Sequence, residues 1–213
     1  MIAAVDSKGD KLLRCLRLGI PVILVDRAIP GLTTSQILWN DFESSYELTR
    51  LLLDSGHREI AIVNVTLSNP NGKSRLEGYR QALADAGVSV PKEYESPSNF
   101  SESQAYRYVM GLMDRERRPT AIYCANNVML EGTLLALRES GMRVCEDISV
   151  VVFGNTICNK YITPQITSAE QDSYEMGCRA GEILSGVLSG KGLTHTQVVI
   201  QSRLVERGSV KRI

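Results

Sequence analysis

The chain has 213 residues, 43% hydrophobic and 23% charged, which is enough for an ordinary buried core and excludes a disordered or collagenous polymer. Lys plus Arg is 24 and Asp plus Glu is 24, so the formal net charge is zero and the bulk attraction to phosphate that drives nucleic-acid binding is missing. The longest apolar runs, Pro21 to Val25 and Ile148 to Phe153, fall far short of the roughly 20 residues a membrane span needs.

The first predicted strand is residues 2–5, and Asp6 follows it directly. A helix over 9–18 stops at Gly19; strands over 21–26 and 35–39 run into Asp26-Arg27 and Asn40-Asp41. A helix over 41–55 stops at Gly56, a strand covers 58–65, and a helix over 73–86 stops at Gly87. Next come a short strand over 93–96, a helix over 101–115 and a strand over 119–124 leading to Asn126-Asn127. A helix over 127–140 ends at Gly141, and a strand over 147–153 leads to Gly154-Asn155. Strand 166–169, helix 173–189 closed by Gly190, and strand 197–204 complete the chain. A glycine after each of five helices supplies the left-handed closing residue at no Cβ cost. Alternating strands and helices are the mark of parallel βαβ units, and strands apolar on both faces belong inside a helix-covered sheet.

Catalytic machinery is not visible. Asn71-Gly72-Lys73-Ser74 resembles the end of a phosphate-binding loop, but the glycine needed five residues before Gly72 is Leu67. His57 and His195 have no metal-ligand partner at helical spacing, and His57 reads as a turn residue after Gly56. Arg115-Glu116-Arg117-Arg118 suits the C-terminal end of a helix better than a phosphate. Five scattered cysteines, an odd number with no C-x-x-C pair, read as free thiols in a reducing compartment, and the first residues lack a secretory pattern, so a cytoplasmic location is expected. A binding protein without cofactor or metal is favoured over an enzyme.

Ligands of open parallel sheets sit beyond the carboxyl ends of the strands. There this chain places Asp6, Asp26-Arg27, Asn40-Asp41, Asn126-Asn127 and Gly154-Asn155, a set suited to a ligand rich in hydroxyl or amide groups. The same residue types are ordinary turn and cap residues, and Asp41 and Asn127, which open helices, read as caps. Arg75 lies in the first turns of a helix, where a cation opposes the dipole; it reads either as a bidentate partner for a hydroxyl pair or carboxylate, or as a solvated surface residue. Phe100 reads either as a hydrophobic staple or as a flat wall for a sugar or base.

At these residues the sequence resembles the effector-binding core of the lactose/galactose repressor (LacI/GalR) family. The matching segments run in order: Gly19-Ile20-Pro21-Val22-Ile23-Leu24-Val25-Asp26-Arg27, Leu53-Asp54-Ser55-Gly56-His57-Arg58-Glu59-Ile60-Ala61, Ser74-Arg75-Leu76-Glu77-Gly78-Tyr79, Pro119-Thr120-Ala121-Ile122, Asp147-Ile148-Ser149-Val150-Val151, Thr163-Pro164-Gln165-Ile166-Thr167 and Glu206-Arg207-Gly208-Ser209. The resemblance implies an α/β fold of two doubly wound parallel-sheet lobes of periplasmic-binding-protein type I, with crossovers near Trp39, Gln171 and Val199. Residues 1–38 plus 172–198 are then a partial N-terminal lobe and 40–170 plus 199–213 the C-terminal lobe. The first lobe is expected to be incomplete, with two strands, two helices and the helix-turn-helix DNA-binding headpiece missing.

The resemblance further implies a small-molecule effector, sugar-like or nucleoside-like, a homodimer, and operator DNA reached only through that headpiece. Lobe closure around the effector is the implied mechanism. It makes Arg75, Phe100, Asn126 and Asp26 effector contacts, beside Asp6 and Asn155 from the strand-end reading. Two departures stand out: Asn126-Asn127 where the family usually has Asn-Asp, and Val152-Phe153-Gly154-Asn155 where it usually has Gly-Phe-Asp-Asp. Losing that first aspartate argues for a different ligand or a weaker site, with Asn155 as a partial substitute. A periplasmic sugar-binding protein of a transporter is the alternative on the same fold.

Overall fold

The computed structural model describes residues 2–3, 9–65, 68–96, 101–190 and 195–213. The chain divides into two units, Met1–Asn40 with Gln171–Ser202, and Asp41–Glu170 with Arg203–Ile213.

In the first unit, strands β1 (Ile2–Ala3), β2 (Ile23–Asp26), β3 (Ser35–Trp39) and β8 (Gln197–Ile200) form a parallel sheet in the order β1-β2-β3-β8. Side chains alternate along β2, so its two faces bury against different helices. Leu24, with Val22, packs with Ile29, Leu32 and helix α1 (Asp10–Arg17) through Leu12 and Leu16. Ile23 and Val25, with Ile37 and Trp39, pack against Met176 and Ala180 of helix α6 (Ser173–Leu188).

The second unit repeats the arrangement on a larger scale. Strands β4 (Ile60–Val63), β5 (Ala121–Cys124), β6 (Ser149–Phe153) and β7 (Thr167–Glu170) are parallel, and β9 (Arg203–Val205) joins β7 antiparallel. Ile60, Ile62, Tyr123, Val151 and Phe153 face helices α2 (Asp41–Asp54) and α3 (Pro70–Asp85). Ala61, Val63, Ile122, Cys124, Val150 and Val152 face α4 (Glu102–Met113) and α5 (Asn127–Glu139). Both faces of β5 and β6 are therefore fully buried, as their continuous apolar runs require.

Three expected elements differ by more than a trimmed end. Residues 93–96 are not a strand: Pro91 starts a 3-10 turn over Lys92–Tyr94 that carries Tyr94 into the core, leaving one bridge between Ile62 and Glu95. The expected strand over 197–204 is two strands in two sheets, broken at Gln201-Ser202. Asn40 holds that break, its Oδ1 accepting from the Ser202 backbone N–H at 2.7 Å and its Nδ2 donating to Gln201 Oε1 at 2.7 Å. Helix α3 starts at Pro70, three residues earlier than expected, because Asn69 caps it by accepting from the Asn71 N–H at 3.1 Å and proline fits the first helical position. Asn71-Gly72-Lys73-Ser74 is thus helix, not a phosphate-wrapping loop.

Among the described residues no helix is long and apolar enough to cross a membrane.

Candidate functional site

The earlier start of α3 puts Arg75 in its second turn, on the face toward the carboxyl ends of the sheet. Its side chain is not solvated: the residue is 7% exposed. Nε donates to Asp41 Oδ1 at 2.7 Å, Nη1 donates to the Ala125 carbonyl at 2.6 Å, and the guanidinium carbon lies 3.7 Å from the centroid of the Phe153 ring. The ion pair comes from the first residue of α2, the carbonyl from just past β5, and the ring from the last residue of β6. A planar cation over an aromatic face with charge-assisted bonds along its edge is fixed in position. Asp41, read from sequence as a cap, is the buried counter-ion of Arg75.

Asn126 caps α5, its Oδ1 accepting from the Met129 N–H at 2.8 Å. The cap is therefore Asn126 rather than Asn127. Asn127 instead joins the start of α5 to the loop after β6, its Nδ2 donating to the Asn155 backbone carbonyl at 2.7 Å. Between them Gly154 adopts φ +111°, and a Cβ there would stand 3.2 Å from Asn127 Oδ1. That backbone suits glycine and strains any L side chain. The departure from the usual aspartate is thus tied to a local loop conformation, and Asn155 lies exposed at its tip.

Asn64, the first residue past β4, belongs with this group although the sequence pattern did not single it out. Its Nδ2 donates to the Gly72 carbonyl at 3.1 Å and its N–H to Ser96 Oγ at 2.7 Å, while Oδ1 is buried with no hydrogen-bond partner among the described residues. The Tyr123 hydroxyl is also buried, and burial pushes its pKa far above the ordinary tyrosine value, so it stays protonated.

Arg75, Asn126 and Asn155 therefore come together at the strand ends of one unit. Asp26 belongs to the other unit, at the end of β2, with φ +70° and its carboxylate 3.4 Å from Arg27. Asp6 and Phe100 lie outside the described residues. The basic cluster after α4 is engaged in ion pairs, Arg115 with Glu93 and Arg117 with Glu59. His57 is a structural clamp: Nε2–H donates to the Lys211 carbonyl at 3.1 Å and Nδ1 accepts from the Thr120 hydroxyl at 2.9 Å. Burial is the main cause lowering its pKa. No group of three or more His, Cys, Asp or Glu placed to hold a metal occurs among the described residues.

Residues 49–210 match the family of periplasmic binding protein-like domains. The chain is 31% identical over 194 residues to the HTH-type transcriptional repressor PurR of Mannheimia succiniciproducens, covering 91% of this chain and 58% of that one. It thus spans little more than half the length of that curated relative. Among solved structures it resembles a transcription regulator from Lactobacillus plantarum, with 27% identity, a TM-score of 0.87, and coverage of 100% of this chain and 79% of that one. It also resembles the transcriptional regulator CelR in complex with cellobiose, with 27% identity, a TM-score of 0.81, and coverage of 90% and 59%.

Proposed function

We infer from one premise, that this chain belongs to the family of periplasmic binding protein-like domains as an effector-binding core of the lactose/galactose repressor type, that it is the sensing part of a DNA-binding transcriptional regulator. Its effector is a small polar metabolite, sugar-like or nucleoside-like. Binding acts by favouring one of two arrangements of the regulator, DNA-competent or not, and can do so only through a difference in affinity for the two. Operator contact belongs to a headpiece outside these residues, the working form is a homodimer, and the setting is the cytoplasm. No chemistry is performed on the effector.

The observation that carries this reading is Arg75, a buried guanidinium fixed by Asp41, Ala125 and Phe153 beside the strand-end amides Asn126 and Asn155. A rigid donor among polar strand ends is what a hydroxyl-rich ligand needs. Asp6, Asp26 and Phe100 are proposed as further contacts. The cellobiose bound by CelR supports a sugar-like effector, and the repressor and regulator relatives support this reading over a transporter's sugar-binding protein.

A thermal-shift panel of sugars, sugar acids and nucleosides tests the proposal. A true effector at 100 times its Kd adds about 2.7 kcal/mol of stability. One chemical class should raise Tm in the wild-type chain and do so less in Arg75→Gln; equal shifts in both would contradict the site.

A further inference from the structure

The charge of what the site accepts, an inference that rests on the effector-site reading, follows from how Arg75 is balanced inside the protein. Asp41 lies 2.7 Å from its Nε, and the two side chains are only 8% and 9% exposed. Phe153 covers one face of the guanidinium and the Ala125 carbonyl takes Nη1. Nη2 is left as the guanidinium nitrogen with no hydrogen-bond partner among the described residues. The side chains just past β4, β5 and β6 include the neutral amides Asn64, Asn126, Asn127 and Asn155, with Gly154 between the last two, while Glu170, which ends β7, is paired with Arg203 and Arg207.

We infer that the Arg75–Asp41 pair restricts the site to uncharged ligands, and that Asp41 is its specificity-determining residue. A carboxylate or phosphate seated on Arg75 would bring a second negative charge beside Asp41 with one guanidinium to share. In a buried setting like charges repel far more strongly than in water, and a surplus charge is poorly tolerated. A hydroxyl or amide oxygen accepts the Nη2 proton without adding charge. The pair thus turns a residue type that elsewhere binds anions into a donor for neutral groups.

The test compares the wild-type chain, Asp41→Asn and Asp41→Asn/Arg75→Gln by thermal denaturation in sodium phosphate or sodium acetate, against sodium chloride at matched ionic strength. The wild type should show no anion-specific shift. Asp41→Asn should gain about 3 °C or more, and the double variant should lose that gain. A wild-type shift as large as the variant's, or no gain in Asp41→Asn, overturns the inference. Should Asp41→Asn fail to fold, the wild-type arm decides: a flat response supports the pair's role and a phosphate-specific rise overturns it. A parallel arm pairs glucose with gluconate on the wild type, where a larger shift from the charged member also overturns it. If the anion arms behave as expected while no neutral panel member raises Tm, the charge restriction stands and the sugar-like effector reading fails.

Discussion

Truncating Arg75 to leucine would leave Asp41 as a buried carboxylate without its counter-ion, so the cost is more than one lost hydrogen bond. Breaking a buried pair from one side costs about 3 to 5 kcal/mol, whereas replacing both charges together costs much less. Urea unfolding should accordingly place Arg75→Leu well below wild type and Asp41→Leu/Arg75→Leu above the single variant; a double variant less stable than the single would contradict the paired arrangement. This pair was not legible in the sequence. Its partners are 34 positions apart, and an aspartate opening a helix satisfies the cap pattern on its own, so nothing local distinguished counter-ion from cap. Asn64 was hidden for a simpler reason. Extending the strand to residue 65 placed it inside β4, when it is the first residue beyond.

At the scale of elements, the second unit depends on two close helix crossings. A Cβ at Gly78 of α3 would fall 2.3 Å from the Phe42 carbonyl oxygen of α2, and one at Gly132 of α5 would fall 2.3 Å from the Glu102 carbonyl oxygen of α4. Both contacts are backbone and cannot swing aside. Gly78→Ala should therefore cost about 1 to 3 kcal/mol in denaturant unfolding, although alanine is the better helix former. The start of β4 is secured separately by His57, which links Thr120 to Lys211. Its pKa lies below the ordinary histidine value of 6.5 in the folded chain. Below that pH the unfolded chain binds a proton that the folded one resists, so the contribution is intact above 6.5 and falls as pH drops toward the folded pKa. The Tm advantage of wild type over His57→Gln should shrink on acidification from pH 7.5 to 5.5; a constant difference would refute this role. Here the sequence was informative but incomplete: the turn after Gly56 was evident, whereas the C-terminal carbonyl that His57 reaches is distant in the chain.

At the scale of the whole molecule, the alternation of doubly apolar strands with helices that stop at glycines made the class of fold readable, because each strand carries its own burial pattern. Which strands share a sheet was harder to read. β8 and β9 read as one strand in sequence, and at the break between them Gln201 and Ser202 are held by Asn40, far earlier in the chain. The strand-end polar residues were equally visible, yet their division between capping, counter-ion and loop-bracing roles depended on neighbours brought in by the fold. The balance of 24 basic and 24 acidic residues leaves this chain without a bulk attraction to phosphate. Calorimetric titration of the effector found by the thermal panel into wild type and Arg75→Gln tests the central claim most directly. Loss of a charge-assisted bond worth about 1.5 to 3 kcal/mol should weaken binding roughly ten- to hundredfold, whereas an Arg75→Gln chain that binds as tightly as wild type would contradict it.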